Sequence, residues 1–179
     1  MPFRVFHNHR FPALKLLSHG HFRVTGDPSD SGISAEYYAP SSGFFGIKAY
    51  GREDRCLEQH ALSIVAAKVG IGPAVGPLLQ LETSGRMRYA FAVEHLTPLM
   101  SLFDNTWSHF ARPGYETQTE ELGKIARQVF GRAYYDDHNG NFGLRNRDNR
   151  VFIIDYSEFR EKELGCAREF LLSNPQMKG

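Results

Sequence analysis

The sequence has little cysteine: Cys56 and Cys166 are its only two, and they form no Cys-x-x-Cys pair. A thiolate zinc site is therefore not expected, and so small a thiol set fits a reducing compartment. Long apolar runs are also missing. No stretch approaches the roughly 18 apolar residues that a span requires. Met1 to His9 carries no apolar signal-peptide core, so neither a membrane span nor a leader is expected. An excess of one charge is missing too, since 21 Lys and Arg face 20 Asp and Glu for a net charge of +1. General nucleic-acid binding needs a basic face that displaces phosphate counterions, and this balance argues against it. The chain has no internal repeat and no low-complexity tract.

What is present is a composition that folds. Of 179 residues, 41% are hydrophobic and 13% aromatic, too apolar for disorder. The length suits one domain or two small lobes, and a chain of this size buries roughly 70% of its unfolded surface.

Residues 1 to 17 mix aromatic and basic side chains and read as an extension packed on the domain. His21 to Thr25, Ile33 to Ala39 and Phe44 to Tyr50 read as strands. They are separated by the turn-rich Gly26-Asp27-Pro28-Ser29-Asp30-Ser31-Gly32 and Pro40-Ser41-Ser42-Gly43. Leu57, Ala61, Ile64 and Val65 fall on one face of a helix over Asp54 to Lys68, which Gly70-Ile71-Gly72-Pro73 stops. Leu78 to Leu81 and Arg88 to Glu94 are two more strands. A short helix is expected at Ser101 to His109. Leu122, Ile125, Ala126, Val129 and Phe130 predict a helix over Thr119 to Arg132. Phe142 to Leu144 and Val151 to Ile154 flank a hairpin turn, and a helix over Glu161 to Leu172 follows. Five antiparallel strands with one helix, then a helical half, make an α+β arrangement.

The polar residues of the second half carry the chemistry. Asn141 lies five residues beyond Asp136, and Asp155 directly follows the apolar Val151-Phe152-Ile153-Ile154. A carboxylate at the end of a buried strand needs a cation. Asn141 and Asp155, at the two ends of a hairpin, suit a hard ion such as Mg²⁺, which takes oxygen ligands and keeps waters and phosphates. Asp136 is placed to accept a proton from an attacking hydroxyl. In the first half Lys48 shares a strand face with Gly46, which leaves room for a flat ring, while Phe45, Ile47 and Ala49 take the other face. Glu58 on the next helix is a partner for Lys48, with Glu53 as a rival. His7-Asn8-His9 spells a nuclease triplet without a metal-binding unit around it. His19 and His21 read as a surface pair, and Trp107 and Phe110 as packing residues.

These residues, taken in order, resemble a protein kinase. Gly46-Ile47-Lys48 resembles the Ala-x-Lys of the third strand, and Glu58 the glutamate of the following helix. Tyr134-Tyr135-Asp136 through Asn141 resembles the His-x-Asp-x-x-x-x-Asn loop. Ile153-Ile154-Asp155-Tyr156-Ser157 resembles the Asp-Phe-Gly segment. Asp136-Asp137-His138-Asn139-Gly140-Asn141 is also similar to the Asp-x-His-x-x-Asn of aminoglycoside and atypical kinases.

The resemblance implies a single minimal bilobal kinase domain over 1–179. It comprises an N-lobe at about 18–95, a hinge at about 94–98 and a reduced C-lobe at about 99–179. It implies ATP and Mg²⁺ as cofactors. Asp136 is then the base, Asn141 and Asp155 hold the metal, Lys48 binds the α- and β-phosphates, and Glu58 orients it. Gly26, Ser31, Gly32 and Gly46 line the nucleotide, and backbone from Glu94 to Leu96 bonds adenine.

Tyr134 stands in place of the usual His, and the glycine loop is degenerate. The stretch after Asp155 holds no Ala-Pro-Glu. That is similar to the minimal bacterial type III effector kinases of the OspG, NleH and HopBF classes, the last of which phosphorylates the host ninety-kilodalton heat-shock chaperone. This likeness implies a monomer that acts on Ser or Thr of a host protein in the host cytoplasm, with no nucleic-acid or membrane partner. A small-molecule phosphotransferase, a pseudokinase binding module and a nucleotidyl transferase remain open beside it.

Overall fold

The computed structural model describes residues 6, 8–18, 20–32, 34–103 and 114–177. They fall into two compact units. Unit 1 is Met1–His60 with Ala74–His95, and unit 2 is Ala61–Pro73 with Leu96–Gly179. The division thus falls within the first helix, and residues 61–73 belong with the second half of the chain.

Unit 1 is built on β1 (Leu14–Ser18), β2 (His21–Val24), β3 (Asp30–Ser31), β4 (Ala35–Tyr38) and β5 (Phe45–Tyr50). The start of α1 (Glu53–Lys68) follows, then β6 (Val75–Thr83) and β7 (Arg86–Glu94). The sequence predicts five antiparallel strands here. The sheet instead has seven, in the order β1-β2-β6-β7-β5-β4-β3, and β2 runs parallel to β6.

Both differences have physical causes. In β1, Leu-Lys-Leu-Leu-Ser, only Leu14 is buried, so this edge strand shows no alternation for a period-2 reading to find. Gly20, at φ +79°, turns the chain from β1 into β2. The Gly20 carbonyl then accepts the Gln80 N–H at 3.0 Å, which docks the β1–β2 hairpin alongside β6. Arg23 forks onto Glu82 across that junction at 3.2 Å. The β6–β7 hairpin turns through Ser84 and Gly85, both at positive φ, the geometry of a type I′ turn.

Ile47, Ala49, Leu79, Leu81, Ala90 and Ala92 form one buried face of the sheet. Phe6, Phe11 and Leu14 of the N-terminal segment pack onto that face with Phe22 and Tyr38. Tyr50 and Phe91 lie on the other face, against Cys56 of α1.

Unit 2 holds the rest of α1, β8 (Thr97–Pro98), α2 (Leu99–Leu102), α3 (Glu116–Phe130), β9 (Phe142–Arg145), β10 (Arg150–Ile153) and α4 (Glu161–Ser173). Its sheet has the order β10-β9-β8. Leu122, Ala126, Val129 and Phe130 of α3 are buried against Phe142, Val151, Ile153, Phe159 and Ala167, with Leu62, Val65 and Ala66 of α1 in the same core. The α3 stripe read from sequence is therefore its buried face. Gly131 ends α3 at φ +74° with its N–H on the Arg127 carbonyl. Of the helix expected at Ser101 to His109, α2 covers only the start, and 104–113, with Trp107 and Phe110, lie outside the described residues.

Candidate functional site

Asp136, Asn141 and Asp155 all lie in unit 2, and a short chain of hydrogen bonds ties them together. A 3-10 turn, Asn139–Asn141, leads the Asp136 loop into β9. The Asn141 N–H donates to the His138 carbonyl at 3.0 Å. Its side-chain Nδ2 donates to the Asp136 carbonyl at 2.7 Å. Its own carbonyl accepts the Ile154 N–H at 2.9 Å, so the residue before Asp155 is bonded to the metal-ligand candidate itself. Asn141 is buried, at 5% exposure, and Asn139 is fully so.

The residues around Asp155 complete the frame. Tyr134 Oη donates to the Asp155 carbonyl at 2.8 Å, and the Ser157 N–H donates to Asp155 Oδ1 at 3.0 Å. Burial raises the Tyr134 hydroxyl well above its usual range, with Asp155 adding to the effect, so it stays a donor. Tyr134 thus locks the loop where the kinase pattern has histidine. Tyr156 Oη donates to the Ile153 carbonyl at 2.8 Å within the core. Val151, Phe152 and Ile153 are almost fully buried and anchor the strand that presents Asp155. Gly143 in β9 is required by packing, since a Cβ there would meet Ile154 and Leu96 at 2.9 Å.

Asp136 keeps a partly open carboxylate, with 41% of its side chain exposed. His138 Nδ1 accepts the Gly140 N–H at 3.1 Å. A neutral His138 therefore carries its proton on Nε2, which lies 3.3 Å from Asp136 Oδ1. Ser157 Oγ lies 3.5 Å from Asp136 Oδ2. Sequence reading missed His138 as a contact of Asp136; its i+2 position in a structured loop was the available signal.

The donor set suits a hard cation. Asn141 commits its amide nitrogen to Asp136, which leaves its side-chain oxygen as the atom to offer, and Asp155 offers a carboxylate. Two hard oxygens with waters and phosphates match Mg²⁺. Among the described residues no group of three His, Cys, Asp or Glu side chains converges, so an all-protein cage of the zinc type is not formed there.

In unit 1 the candidates are placed differently. Lys48 lies in β5 opposite Tyr37 of β4 and Phe91 of β7. Glu58 is salt-bridged to Arg55 of its own helix, and Glu53 accepts from the Tyr89 hydroxyl, which raises that phenol. The Gly26 N–H donates to Ala13 at 3.2 Å, and the Gly32 N–H to Ala35 at 2.9 Å. Those amides are engaged within the fold rather than turned toward a ligand. Ser31 sits in β3, paired with Glu36. The room over Gly46 is occupied by the Tyr37 phenol, a correction to the open slot expected from sequence. Its cause is cross-strand: Tyr37 projects from β4 on the same sheet face, and its sequence position alone did not reveal its reach.

Of the hinge residues, the Glu94 N–H donates to Ala74 at 2.8 Å and the His95 N–H to Phe44 at 2.7 Å. Leu96 is buried in unit 2. His9, from the nuclease-like triplet, accepts the N–H groups of Phe44 and Phe45 on Nε2, each at 3.0 Å, which is a structural clamp. His7 and His19 lie outside the described residues.

No protein-family model matches the sequence, and no curated protein matches it. Among solved structures, the chain is similar to the Helicobacter pylori proinflammatory kinase CtkA. The alignment covers 96% of this chain and 65% of that one, at 12% identity and a TM-score of 0.34. This chain thus spans just under two thirds of that kinase's length, and at this score the likeness carries none of the argument that follows.

Proposed function

We propose that the protein is a Mg²⁺-dependent phosphotransferase of the minimal protein-kinase type, moving the γ-phosphoryl of ATP to a hydroxyl of a protein substrate. The observation that carries this reading is the bonded set of Asp136, Asn141 and Asp155 in unit 2. It puts a partly open carboxylate on the same frame as an amide oxygen and a second carboxylate. Asp136 accepts the proton of the attacking hydroxyl, with His138 and Ser157 bracketing its two oxygens. Asn141 and Asp155 hold the cation, and Lys48 takes the phosphates, as the kinase resemblance assigns. The bound metal nucleotide supplies the phosphoryl group and neutralises charge; positioning and electrostatics are the protein's share.

In the finer reading, which rests on resemblance alone, the substrate is a host protein reached by a secreted effector, with the ninety-kilodalton chaperone as the HopBF-like target. The test is label transfer. Purified chain, Mg²⁺ and γ-labelled ATP are incubated with a eukaryotic lysate beside an Asp136→Asn control. A labelled protein band present only with the wild type supports the reading. Label transferred from α-labelled ATP instead would make it a nucleotidyl transferase, label on small molecules alone would make it a small-molecule kinase, and no transfer from either nucleotide would remove the enzymatic reading.

A further inference from the structure

Asp136 ends a run of three residues that are each held by a bond from elsewhere in unit 2. Tyr134 is fixed through its hydroxyl, which donates to the Asp155 carbonyl at 2.8 Å. Asp136 is fixed through its own carbonyl, which accepts Asn141 Nδ2 at 2.7 Å. Tyr135, between them, is 73% exposed, so burial does not anchor it. Its main-chain N–H instead meets the Glu158 carboxylate, 3.1 Å from Oε1 and 3.3 Å from Oε2.

Glu158 is itself built into the unit, with only 14% of its side chain exposed. Arg132, just beyond the Gly131 that ends α3, donates Nη2 to Glu158 Oε2 at 3.2 Å and to the Glu158 carbonyl at 3.3 Å. Its guanidinium lies over the Phe159 ring, 5.5 Å from the centroid, and 3.7 Å from Glu163 Oε1. Glu163 Oε2 in turn accepts the Arg160 N–H at 3.0 Å, at the start of α4. Glu158 stands three residues beyond Asp155. One short segment thus carries a metal-ligand candidate and grips the peptide that precedes the base.

We propose that Glu158 is a positioning residue for Asp136: by holding the Tyr135 N–H, its carboxylate sets where the base stands relative to Asn141 and Asp155. This rests on the phosphotransferase reading above. A misplacement of about 1 Å costs on the order of 10²-fold in rate. Asn141 and Asp155 keep their own bonds without Glu158, so the loss falls on kcat and leaves the KM for MgATP in place.

A carboxylate that served only to neutralise Arg132 would answer differently to two substitutions. Glu158→Gln keeps the length and an oxygen for the Tyr135 N–H but gives up the charge. Glu158→Asp keeps the charge, and the long, partly exposed Arg132 can follow it, but one methylene fewer draws the oxygens away from that N–H. Positioning therefore ranks Gln above Asp, and charge neutralisation ranks Asp above Gln.

The test is initial rates of γ-label transfer to eukaryotic lysate protein at varied MgATP, per folded chain, with hydrogen exchange of the Tyr135 amide followed by NMR. Glu158→Gln is expected to stay within about threefold of the wild-type kcat, because its amide oxygen still accepts the N–H. Glu158→Asp is expected to lose about 10- to 100-fold in kcat at an unchanged KM for MgATP. The Tyr135 amide should exchange slowly in wild type and Glu158→Gln, and fast in Glu158→Asp. The proposal is overturned by a Glu158→Asp that equals or exceeds Glu158→Gln, by a loss that appears in the KM for MgATP, by a Glu158→Gln that does not fold, or by fast Tyr135 exchange in the wild type. Wild type that transfers no label while its Tyr135 amide exchanges slowly removes the phosphotransferase reading instead, and leaves Glu158 as a brace of the fold.

Discussion

Unit 2 joins its candidate residues through bonds between near neighbours in sequence, whereas unit 1 covers its candidates with side chains from other strands. In unit 2 the Asn141 amide reaches back five residues to Asp136, and its carbonyl takes the N–H beside Asp155 across a two-strand hairpin. In unit 1 Gly46 lies under Tyr37, Glu58 is held by Arg55, and the Gly26 and Gly32 amides are engaged by Ala13 and Ala35. The difference teaches that local spacing can specify a polar frame, while a sheet face is specified only by what its neighbours project onto it.

The sharpest way to break this comparison is at Asp136. Asp136→Asn keeps shape and removes the proton acceptor, and general-base loss of this kind lowers rate by about 10²–10⁴-fold. Initial rates of label transfer, with the thermal midpoint as a check on folding, measure it. A variant with wild-type rate would show that the unit 2 frame is only structural.

The legibility of the fold followed the same division. The period of Leu122, Ala126, Val129 and Phe130 gave the buried face of α3, and the apolar run Val151 to Ile154 gave β10 and the residue it presents. The edge strand β1 was illegible because four of its five residues, Lys15, Leu16, Leu17 and Ser18, are exposed without alternation. The parallel β2–β6 pairing is set by a contact between Gly20 and Gln80, far apart in sequence, and no local pattern encodes it. Tyr37 over Gly46 was hidden for the same reason. In unit 2 the Tyr134 bond to the Asp155 carbonyl was equally non-local, although the departure from histidine at that position marked the residue.

Gly46→Val sharpens the unit 1 side. The new side chain would collide with the Tyr37 phenol, and overpacking of this kind destabilises by about 1–3 kcal/mol. Thermal unfolding reads the loss. Adding Tyr37→Ala to the same chain should recover part of it, and strict additivity of the two changes would count against the contact.

In unit 2, Tyr134→Phe deletes the buried donor to the Asp155 carbonyl. The expected loss is about 1 kcal/mol in denaturant unfolding, together with slower transfer as Asp155 loosens. An unchanged transfer rate would separate that bond from the site.

Acid should act on unit 1 through His9. Burial lowers its folded pKa below the usual imidazole range, and Nε2 accepts its two N–H groups only while the ring is uncharged. The clamp is therefore complete above the unfolded pKa and is lost as pH falls through the folded one. Melting temperatures compared between pH 7.5 and pH 5 should drop less in His9→Gln than in wild type; an equal drop would place the acid sensitivity elsewhere. The smallest effect is expected at Glu58→Gln, where a partly exposed pair within one helix contributes roughly 0.3–0.5 kcal/mol. A severe loss of transfer there, without loss of stability, would favour Glu58 over Glu53 as the partner of Lys48.

The central claim is that Asn141 and Asp155 present their oxygens to a divalent cation carrying a nucleotide. Electron paramagnetic resonance with Mn²⁺ and ATP, in the wild type and in Asn141→Ala and Asp155→Ala, tests it most directly. The account predicts a bound-Mn²⁺ fraction in the wild type that falls in Asn141→Ala and vanishes in Asp155→Ala, with all three chains folded. Equal Mn²⁺ binding by the three would contradict it.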